Sequence, residues 1–391
     1  MDKEEQYKLQ RELNIRKIVI TCIISSIVVA IIIIFSLYIG KESFRKWVDI
    51  NVLRKDITSK DVATIDLNVD KNNQIFCYNK YIGILNEKNL KLYNSSGENI
   101  TDISVNINTA LSASNDKYLA IAEKNGQEFC LISDKSYLWK QTVEGEILKI
   151  YVNKNGYVAL VTTDTTYKSI ITVYDYNGKQ ILKNYLSSTR VIDVSISNDN
   201  KYVAFAEMDT SGTIIKSSVK IISVEKASTN SEESIIYSNE TTTSKMLIKV
   251  QYQEKNELVC VYDDCVNIVK DNKENELIKI DDMTSFVSGN LNGSVAYIKE
   301  VQKGIFDSKS TLNIINTSNN QKNEYNFDEI AKEMYSYGNI IAINIGTEMY
   351  ILNNNAMLIK RYTSNQEITN VMLSNNIAVV IYKDRIEIIN L

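Results

Sequence analysis

Short apolar runs alternate with polar clusters along the whole chain beyond residue 60. The runs are about four to eight residues long and rich in Ile, Val and Tyr, whereas the clusters consist of Asn, Asp, Gly and Ser. Runs of this kind are typical of β-strands, and such clusters are typical of the turns that join them. The pattern therefore predicts that this region is all-β.

The predicted strands recur as a repeat. The segment LSASNDKYLAIAE at residues 111–123 matches SISNDNKYVAFAE at 195–207, because each contains a strand, an Asn-Asp turn and a second strand that follows Lys-Tyr. Weaker copies begin at Ile150, Val287, Glu333 and Val371. A four-stranded antiparallel unit with a period of about 35–55 residues is typical of the blade of a β-propeller.

Counting these units predicts an eight-bladed β-propeller, with seven blades as the alternative. The blades are expected to start near Gln74, Thr109, Leu148, Val191, Leu247, Ser285, Ile330 and Ile368. The last unit has only three strands before Leu391, and residues 62–69 are left over before the first blade. We expect this leftover segment to supply the missing fourth strand and close the ring, since an unpaired edge would promote aggregation. A series of β-sandwiches would also repeat strands, but seldom with one blade-length period.

The N-terminal segment has a different pattern. Residues 18–39 are 22 consecutive residues without a charge, and about 20 apolar residues suffice for a helix to cross a bilayer. The run is longer than the apolar region of a cleaved signal peptide, and no small-residue cleavage site follows it. We therefore expect a cytoplasmic tail at 1–17, one transmembrane helix at 18–39, a juxtamembrane stalk at 40–60 and a propeller at 61–391.

The orientation of this single-pass anchor is harder to predict from the sequence than its position. Five basic residues lie on each side of the span, so the positive-inside rule does not decide between the two orientations. A short tail precedes the helix and the whole folded mass follows it, which is the usual layout of an exported domain. We therefore expect the propeller to be extracellular, on the cell membrane.

By its repeat, the region of residues 60–391 resembles the WD-repeat-like and quinoprotein-like propellers, and in particular the membrane-anchored propellers of AT-rich Gram-positive bacteria. It departs from true WD repeats, which carry Gly-His and Trp-Asp pairs, because it has no histidine and its tryptophans are Trp47 and Trp139. The recurrent docking tryptophans of quinone-cofactor dehydrogenases are missing as well. The resemblance implies a binding platform and no particular reaction.

Composition excludes several kinds of chemistry. Without histidine the chain cannot form a Ser-His-Asp triad, a Cys-His pair or a His-ligated metal site. The 44 basic and 48 acidic residues give a net charge of -4, which provides no electrostatic basis for nucleic-acid binding. No C-x-x-C pair occurs among Cys77, Cys130, Cys260 and Cys265, so buried thiols are expected instead of a zinc site. We therefore predict no cofactor, no metal site, no catalytic residues and no enzymatic activity.

Candidate binding residues come from the hairpins between the second and third strands of the blades. These hairpins are predicted to be long at 163–169, 208–218 and 300–310, and to emerge on one face of the ring. Variable loops on a rigid scaffold often carry binding functions. The candidate partner-binding residues are the apolar or aromatic tips Tyr167, Ile214, Ile215, Ile305 and Phe306. The alternative is that these residues extend the strands and pack on neighbouring blades.

Together these features predict a non-enzymatic, membrane-tethered propeller that binds a protein or another cell-envelope component at the cell surface. One alternative is an envelope hydrolase or lyase that uses two opposed carboxylates in the central channel. Another alternative is a sensor domain that faces the cytoplasm. Channel carboxylates would distinguish the first alternative, and membrane topology would distinguish the second.

Overall fold

The computed structural model describes residues 3–53, 55–69, 72–86, 88–229, 233–241, 245–302 and 308–391. The chain divides into two compact units between Asp56 and Ile57. The first unit contains two helices, α1 (Lys3–Gly40) and α2 (Glu42–Asn51). Within α1, the 25 residues Arg16–Gly40 contain an 18-residue stretch with a mean hydropathy of 3.2, so the helix is long and apolar enough to cross a membrane. Membrane anchors and signal sequences share these properties.

The second unit is an eight-bladed β-propeller, which confirms the predicted fold class. Two strands precede the first blade, β1 (Asp56–Thr58) and β2 (Ala63–Asp66). Each blade then uses consecutive strands, and those of blades 1 to 4 are β3 (Gln74–Tyr78), β4 (Tyr81–Asn86), β5 (Asn89–Tyr93), β6 (Asn99–Ser104), β7 (Ala110–Asn115), β8 (Tyr118–Glu123), β9 (Glu128–Ser133), β10 (Ser136–Thr142), β11 (Glu146–Val152), β12 (Val158–Thr163), β13 (Ser169–Tyr174), β14 (Gln180–Leu186), β15 (Arg190–Ile196), β16 (Tyr202–Asp209), β17 (Lys216–Ser223) and β18 (Ile235–Glu240). A short helix, α3 (Val224–Thr229), follows β17.

Blades 5 to 8 continue the same order. Their strands are β19 (Leu247–Tyr252), β20 (Leu258–Tyr262), β21 (Cys265–Lys270), β22 (Lys273–Lys279), β23 (Thr284–Leu291), β24 (Ser294–Gln302), β25 (Ser308–Asn316), β26 (Lys322–Phe327), β27 (Glu333–Tyr337), β28 (Ile340–Asn344), β29 (Glu348–Asn353), β30 (Leu358–Thr363), β31 (Asn370–Leu373), β32 (Ile377–Ile381) and β33 (Arg385–Asn390). A 3-10 turn at Glu254–Asn256 joins β19 to β20.

The ring closes as the sequence predicted. Blade 8 has three strands of its own, and β2 pairs antiparallel with β33 as the fourth strand, placing Ala63 opposite Ile388 and Asp66 opposite Arg385. Ile65 on this closing strand is buried among apolar side chains of blades 8 and 1. β1 adds a fifth strand to the outer edge of blade 7, next to β30.

The apolar core lies between the blades. Each pair of neighbouring blades, including blades 8 and 1, shares one cluster of buried side chains. The second strands are buried along most of their length, as in β12, whereas outer strands such as β10 alternate between exposed and half-buried positions. The first strand of each blade is innermost, because these strands contact one another around the centre. This packing makes the ring a rigid frame for its loops.

The propeller has two faces that differ in their loops. On the face that we call the turn face, the first strand of each blade is joined to the second and the third to the fourth, mostly by tight turns; in blade 4 the second of these connections contains α3. Asp116, Gly156, Asn200 and Gly293 adopt positive φ there, a conformation that Asn, Asp and Gly tolerate best. The opposite face, which we call the hairpin face, carries the hairpins between second and third strands and the connections between blades.

Candidate binding face and central channel

The hairpin of blade 4 presents two of the predicted residues to solvent. β16 and β17 remain paired as far as Asp209, so residues 210–215 leave the sheet. The Asp209 carboxylate accepts the Ser211 amide hydrogen at 2.8 Å, and this contact holds the pKa of Asp209 below its usual range. Ile214 and Ile215 at the end of the hairpin are 58% and 41% exposed. Neither side chain belongs to the packing between blades.

Tyr167, in the hairpin of blade 3, lies against its own blade. Its ring centroid is 4.7 Å from that of Tyr185 on β14, and the Tyr167 side chain is half-buried. The Tyr167 amide donates to the Asp164 carboxylate at 2.6 Å, which fixes the hairpin. Tyr167 therefore packs within its blade, and the exposed Tyr185 is the ring that this pair presents to solvent.

Ile305 and Phe306 belong by sequence to the hairpin of blade 6, and they lie outside the described residues. The strands that flank this hairpin, β24 and β25, are described, and Val301 near the end of β24 is exposed. The role of Ile305 and Phe306 stays a prediction from the sequence.

The inner strands of blades 3 to 6 share an irregularity near the hairpin face. In blade 3 the register shifts between Ile147 and Lys149, and equivalent shifts occur in β15, β19 and β23. A β-bulge of this kind adds a residue and redirects a side chain. In blade 5 the extra residue is Ile248, which is 52% exposed. The inner strands of blades 1, 2, 7 and 8 pair without such a shift, so blades 3 to 6 form a distinct half of the ring.

Exposed apolar side chains concentrate on this half of the hairpin face. We call the following set the apolar arc: Tyr185, Ile214, Ile215, Met246, Ile248, Met283, Val301 and Ile330. Among the described residues of the turn face, the exposed large apolar side chains are Tyr176, Ile235 and Met357. Two more lie outside blades 3 to 6: Val69, on the hairpin face between blades 8 and 1, and Leu138, on the outer strand of blade 2. The members of the arc outside the second-to-third-strand hairpins were not predicted from the sequence.

Ion pairs and unpaired carboxylates surround the apolar arc. The ion pairs among the described residues include Lys183–Glu144, Lys216–Glu240, Lys245–Asp264, Lys299–Asp281, Lys309–Asp328 and Lys332–Glu367. The Lys299 ammonium and the Thr284 hydroxyl hold the pKa of Asp281 below its usual range, so its carboxylate is ionised at neutral pH. Asp282 and Glu329 add exposed acidic side chains to the same face, and Glu300 adds a half-buried one. Arg190 and Lys279 add exposed basic side chains, so the arc is apolar with a surround of both charges.

The central channel is lined by the inner strands of all eight blades and contains a cavity of about 280 Å³. Asp193 is the one carboxylate among the described residues that line it. Its two oxygens accept hydrogen bonds from the Lys149 ammonium at 3.3 Å and the Val250 amide at 3.1 Å. A glycosidase requires two carboxylates that face each other across the substrate. The described lining of this cavity does not supply such a pair.

The cysteines of the propeller are free and buried: Cys77, Cys130, Cys260 and Cys265. Burial raises the pKa of the Cys77 and Cys130 thiols to about 12, so neither is a thiolate at neutral pH. Across the part of the chain that the structure describes, no three Cys, Asp or Glu side chains converge as a metal site would require.

Solved structures with the same fold include proteins of very different sequence. The C-terminal WD40 domain of Sif2 superposes with a TM-score of 0.54 at 9% identity, covering 84% of this chain and 99% of that domain. BamB from Moraxella catarrhalis superposes with a TM-score of 0.51 at 10% identity, again covering 84% of this chain and 99% of that protein. At these identities the likeness establishes the propeller fold alone, and it confirms the resemblance to WD-repeat-like propellers.

Comparison with protein families gives a narrower assignment than the fold alone. No curated protein matches the chain. One family model matches residues 54–391, which covers the whole propeller and most of the chain. The chain therefore belongs to the family of unknown function DUF5711.

Proposed function

We propose that this protein is a non-enzymatic, membrane-tethered scaffold that binds a protein partner through the apolar arc, outside the cell. The observation that carries the proposal is the concentration of exposed apolar side chains on the hairpin face of four consecutive blades. Scattered apolar residues on a surface need no explanation, whereas a one-sided concentration is typical of an interaction site.

The shape of the arc favours a protein partner over a small molecule. Its members come from different blades around one side of the ring, and small molecules prefer concave cavities. Protein interfaces place a few apolar or aromatic anchors at their centre and polar side chains around them. Tyr185, Ile214 and Met283 have the size and exposure of such anchors. The charged surround, which carries both signs, favours a partner whose rim places complementary charges opposite it.

The channel supports a binding role in preference to hydrolysis. Asp193 is engaged by Lys149 and by a backbone amide, and the described lining offers no second carboxylate opposite it. The hydrolase alternative would need such a pair to deliver and accept protons. The proposal of a non-enzymatic role rests on this arrangement and on the lack of histidine in the sequence.

A matched pair of substitutions in blade 4 tests the binding face. Ile215 and Ile235 are 41% and 43% exposed and lie on opposite faces of the same blade. We expect Ile215→Asp to reduce recovery of the crosslinked partner by at least about tenfold, since hot-spot residues contribute roughly 2 kcal/mol or more. Ile235→Asp should leave recovery unchanged. The measurement is quantitative pulldown of the full chain from crosslinked cells, with melting temperatures of both variants as the folding control. Equal recovery with both variants would contradict the assignment of the arc.

The proposed topology can be tested with an introduced thiol. The four native cysteines of the propeller are buried, so a membrane-impermeant maleimide needs a new target. Thr213 is exposed in the blade 4 hairpin, and Thr213→Cys in a Cys22→Ser background supplies one. We expect labelling on intact cells. Labelling that requires lysis would instead support the cytoplasmic sensor alternative.

A further inference from the structure

The turn face carries a second concave site, separate from the apolar arc. Turns and strand ends from blades 2 to 8 surround a cavity of about 340 Å³ at the mouth of the central channel. Its lining shares residues with the channel cavity, so the two spaces adjoin. Six asparagines from five of these blades or their turns line it: Asn115, Asn155, Asn198, Asn290, Asn292 and Asn375. We call this space the amide mouth.

Hydrogen bonds between blades hold the amide mouth rigid. The Asn155 side-chain amide donates to the Asn198 backbone carbonyl at 2.8 Å, and the Asn198 side-chain amide donates to the Gln253 carbonyl at 3.1 Å. The Asn290 side chain donates to the Ser336 carbonyl at 2.9 Å. Each of these side chains donates N–H groups to a neighbouring blade and keeps its carbonyl oxygen as an acceptor. A fixed array of acceptors lowers the entropic cost of ligand binding.

Gln253 adds a buried acceptor beside the same cavity. Its side-chain amide donates to the carbonyls of Gly289 at 2.9 Å and Ser294 at 2.7 Å, and the residue is only 4% exposed. Its Oε1 is buried and has no hydrogen-bond partner among the described residues. A buried acceptor without a donor is costly. Gln253 therefore adds an unsatisfied acceptor to the residues that line the mouth, although this oxygen itself is shielded from solvent.

The charges around the mouth argue against an ionic ligand. Asp116, Lys154 and Glu254 are exposed at its edge and include both signs. A phosphate or another anion would require a cluster of cations or free backbone amides. Tyr151 and Tyr337 supply aromatic surface, and the Tyr337 hydroxyl accepts the Asp116 amide hydrogen across the mouth. The lining is therefore mainly neutral, with donors, acceptors and rings.

We propose that the amide mouth binds a neutral saccharide. Hydroxyl groups on a sugar ring donate and accept at once, which matches side-chain amides, and the apolar faces of sugars pack on tyrosine rings. The cavity volume is within the range of about 300–1,000 Å³ that is usual for small-molecule sites. A peptide segment would instead require apolar pockets or an unpaired strand edge, and the described lining of the mouth is chiefly amide and hydroxyl.

The test measures binding of two disaccharides, maltose and N,N′-diacetylchitobiose, to the full chain by titration calorimetry and saturation-transfer NMR. The detergent is lauryldimethylamine oxide, because maltoside detergents would compete for the site. Asn375 and Asn376 are adjacent exposed residues in one turn, and only Asn375 lines the mouth. We expect saturable binding of at least one disaccharide, a loss of roughly 3- to 10-fold in affinity with Asn375→Ala or Asn292→Ala, and no change with Asn376→Ala.

Other outcomes would overturn the proposal. These are no saturable binding of either disaccharide, equal binding by all variants, or saturable binding of trialanine in place of the sugars. The proposal does not depend on the apolar arc, because Ile215→Asp lies on the opposite face and should leave disaccharide affinity unchanged.

Discussion

Glu333 illustrates how burial shifts the pKa of a single carboxyl group in this ring. It begins the inner strand of blade 7, and its Oε2 accepts the Val371 amide hydrogen from blade 8 at 3.0 Å. Burial raises the pKa of Glu333 from its ordinary 4.5 to about 7, although the hydrogen bonds from Val371 and Asn344 act in the opposite direction. The neighbouring charges, Lys332 and Glu367, pair with each other. Glu333 is therefore partly protonated at neutral pH.

The raised pKa of Glu333 predicts that the free energy of unfolding depends on pH. The folded chain retains the Glu333 proton to a higher pH than the unfolded chain, so its contribution to stability falls as the pH rises from about 4.5 to about 7. We expect Glu333→Gln to match the wild type near pH 5 and to exceed its unfolding free energy at pH 8 by of the order of 1 kcal/mol, after allowance for solvent screening. Melting curves at both pH values measure this, with the exposed Glu276→Gln as control. An identical pH dependence in wild type and Glu333→Gln would contradict the assignment.

The closing strand is the element on which the ring depends most clearly. β2 comes from the start of the propeller and completes the last blade, so its pairing joins the two ends of the ring. Its side chains alternate, with Ile65 buried at 5% exposure and its neighbour Thr64 exposed. Ile65 contacts the cluster shared by blades 8 and 1.

A substitution in this strand should therefore affect the whole ring. We expect Ile65→Ala to lower the unfolding free energy by about 2–5 kcal/mol, as for other buried large-to-small changes. Thr64→Ala, one residue away on the exposed side, should change it by no more than about 0.5 kcal/mol. Chemical denaturation of the full chain measures both. If the two variants unfolded together with the wild type, closure by β2 would not be what stabilises the ring.

At the level of elements, sequence spacing predicts which segments form strands better than it predicts which side chains are exposed. The closing strand was predictable, because counting strands left one over at the start and one missing at the end. The exposure of Ile330 was not predictable, because its neighbour Ala331 is buried in the core between blades 6 and 7. Ile248 is exposed through a bulge, and tertiary packing, not alternation, decides where a bulge forms. The amide mouth likewise depends on turns brought together from distant parts of the chain.

At the scale of the whole molecule, the two faces of the ring have different chemistry. The hairpin face of blades 3 to 6 carries exposed apolar side chains with a charged surround, and the turn face carries amides around the channel mouth. An apolar N-terminal helix precedes this body and suits attachment to a membrane. The proposed scaffold would thus use one face for a protein and the other for a sugar.

The most direct test of the proposed binding face is photocrosslinking of the full chain in living cells. Met283 and Met357 are both exposed methionines. Met283 belongs to the apolar arc on the hairpin face, and Met357 lies on the turn face of blade 7. Each is replaced in turn by a photoreactive amino acid, and adducts are resolved by gel and mass spectrometry. We expect a discrete protein adduct from position 283 that is absent from position 357 and is lost when Ile215→Asp is added. An adduct from position 357 alone, from both positions equally or from neither would contradict the assignment of the partner site to the apolar arc.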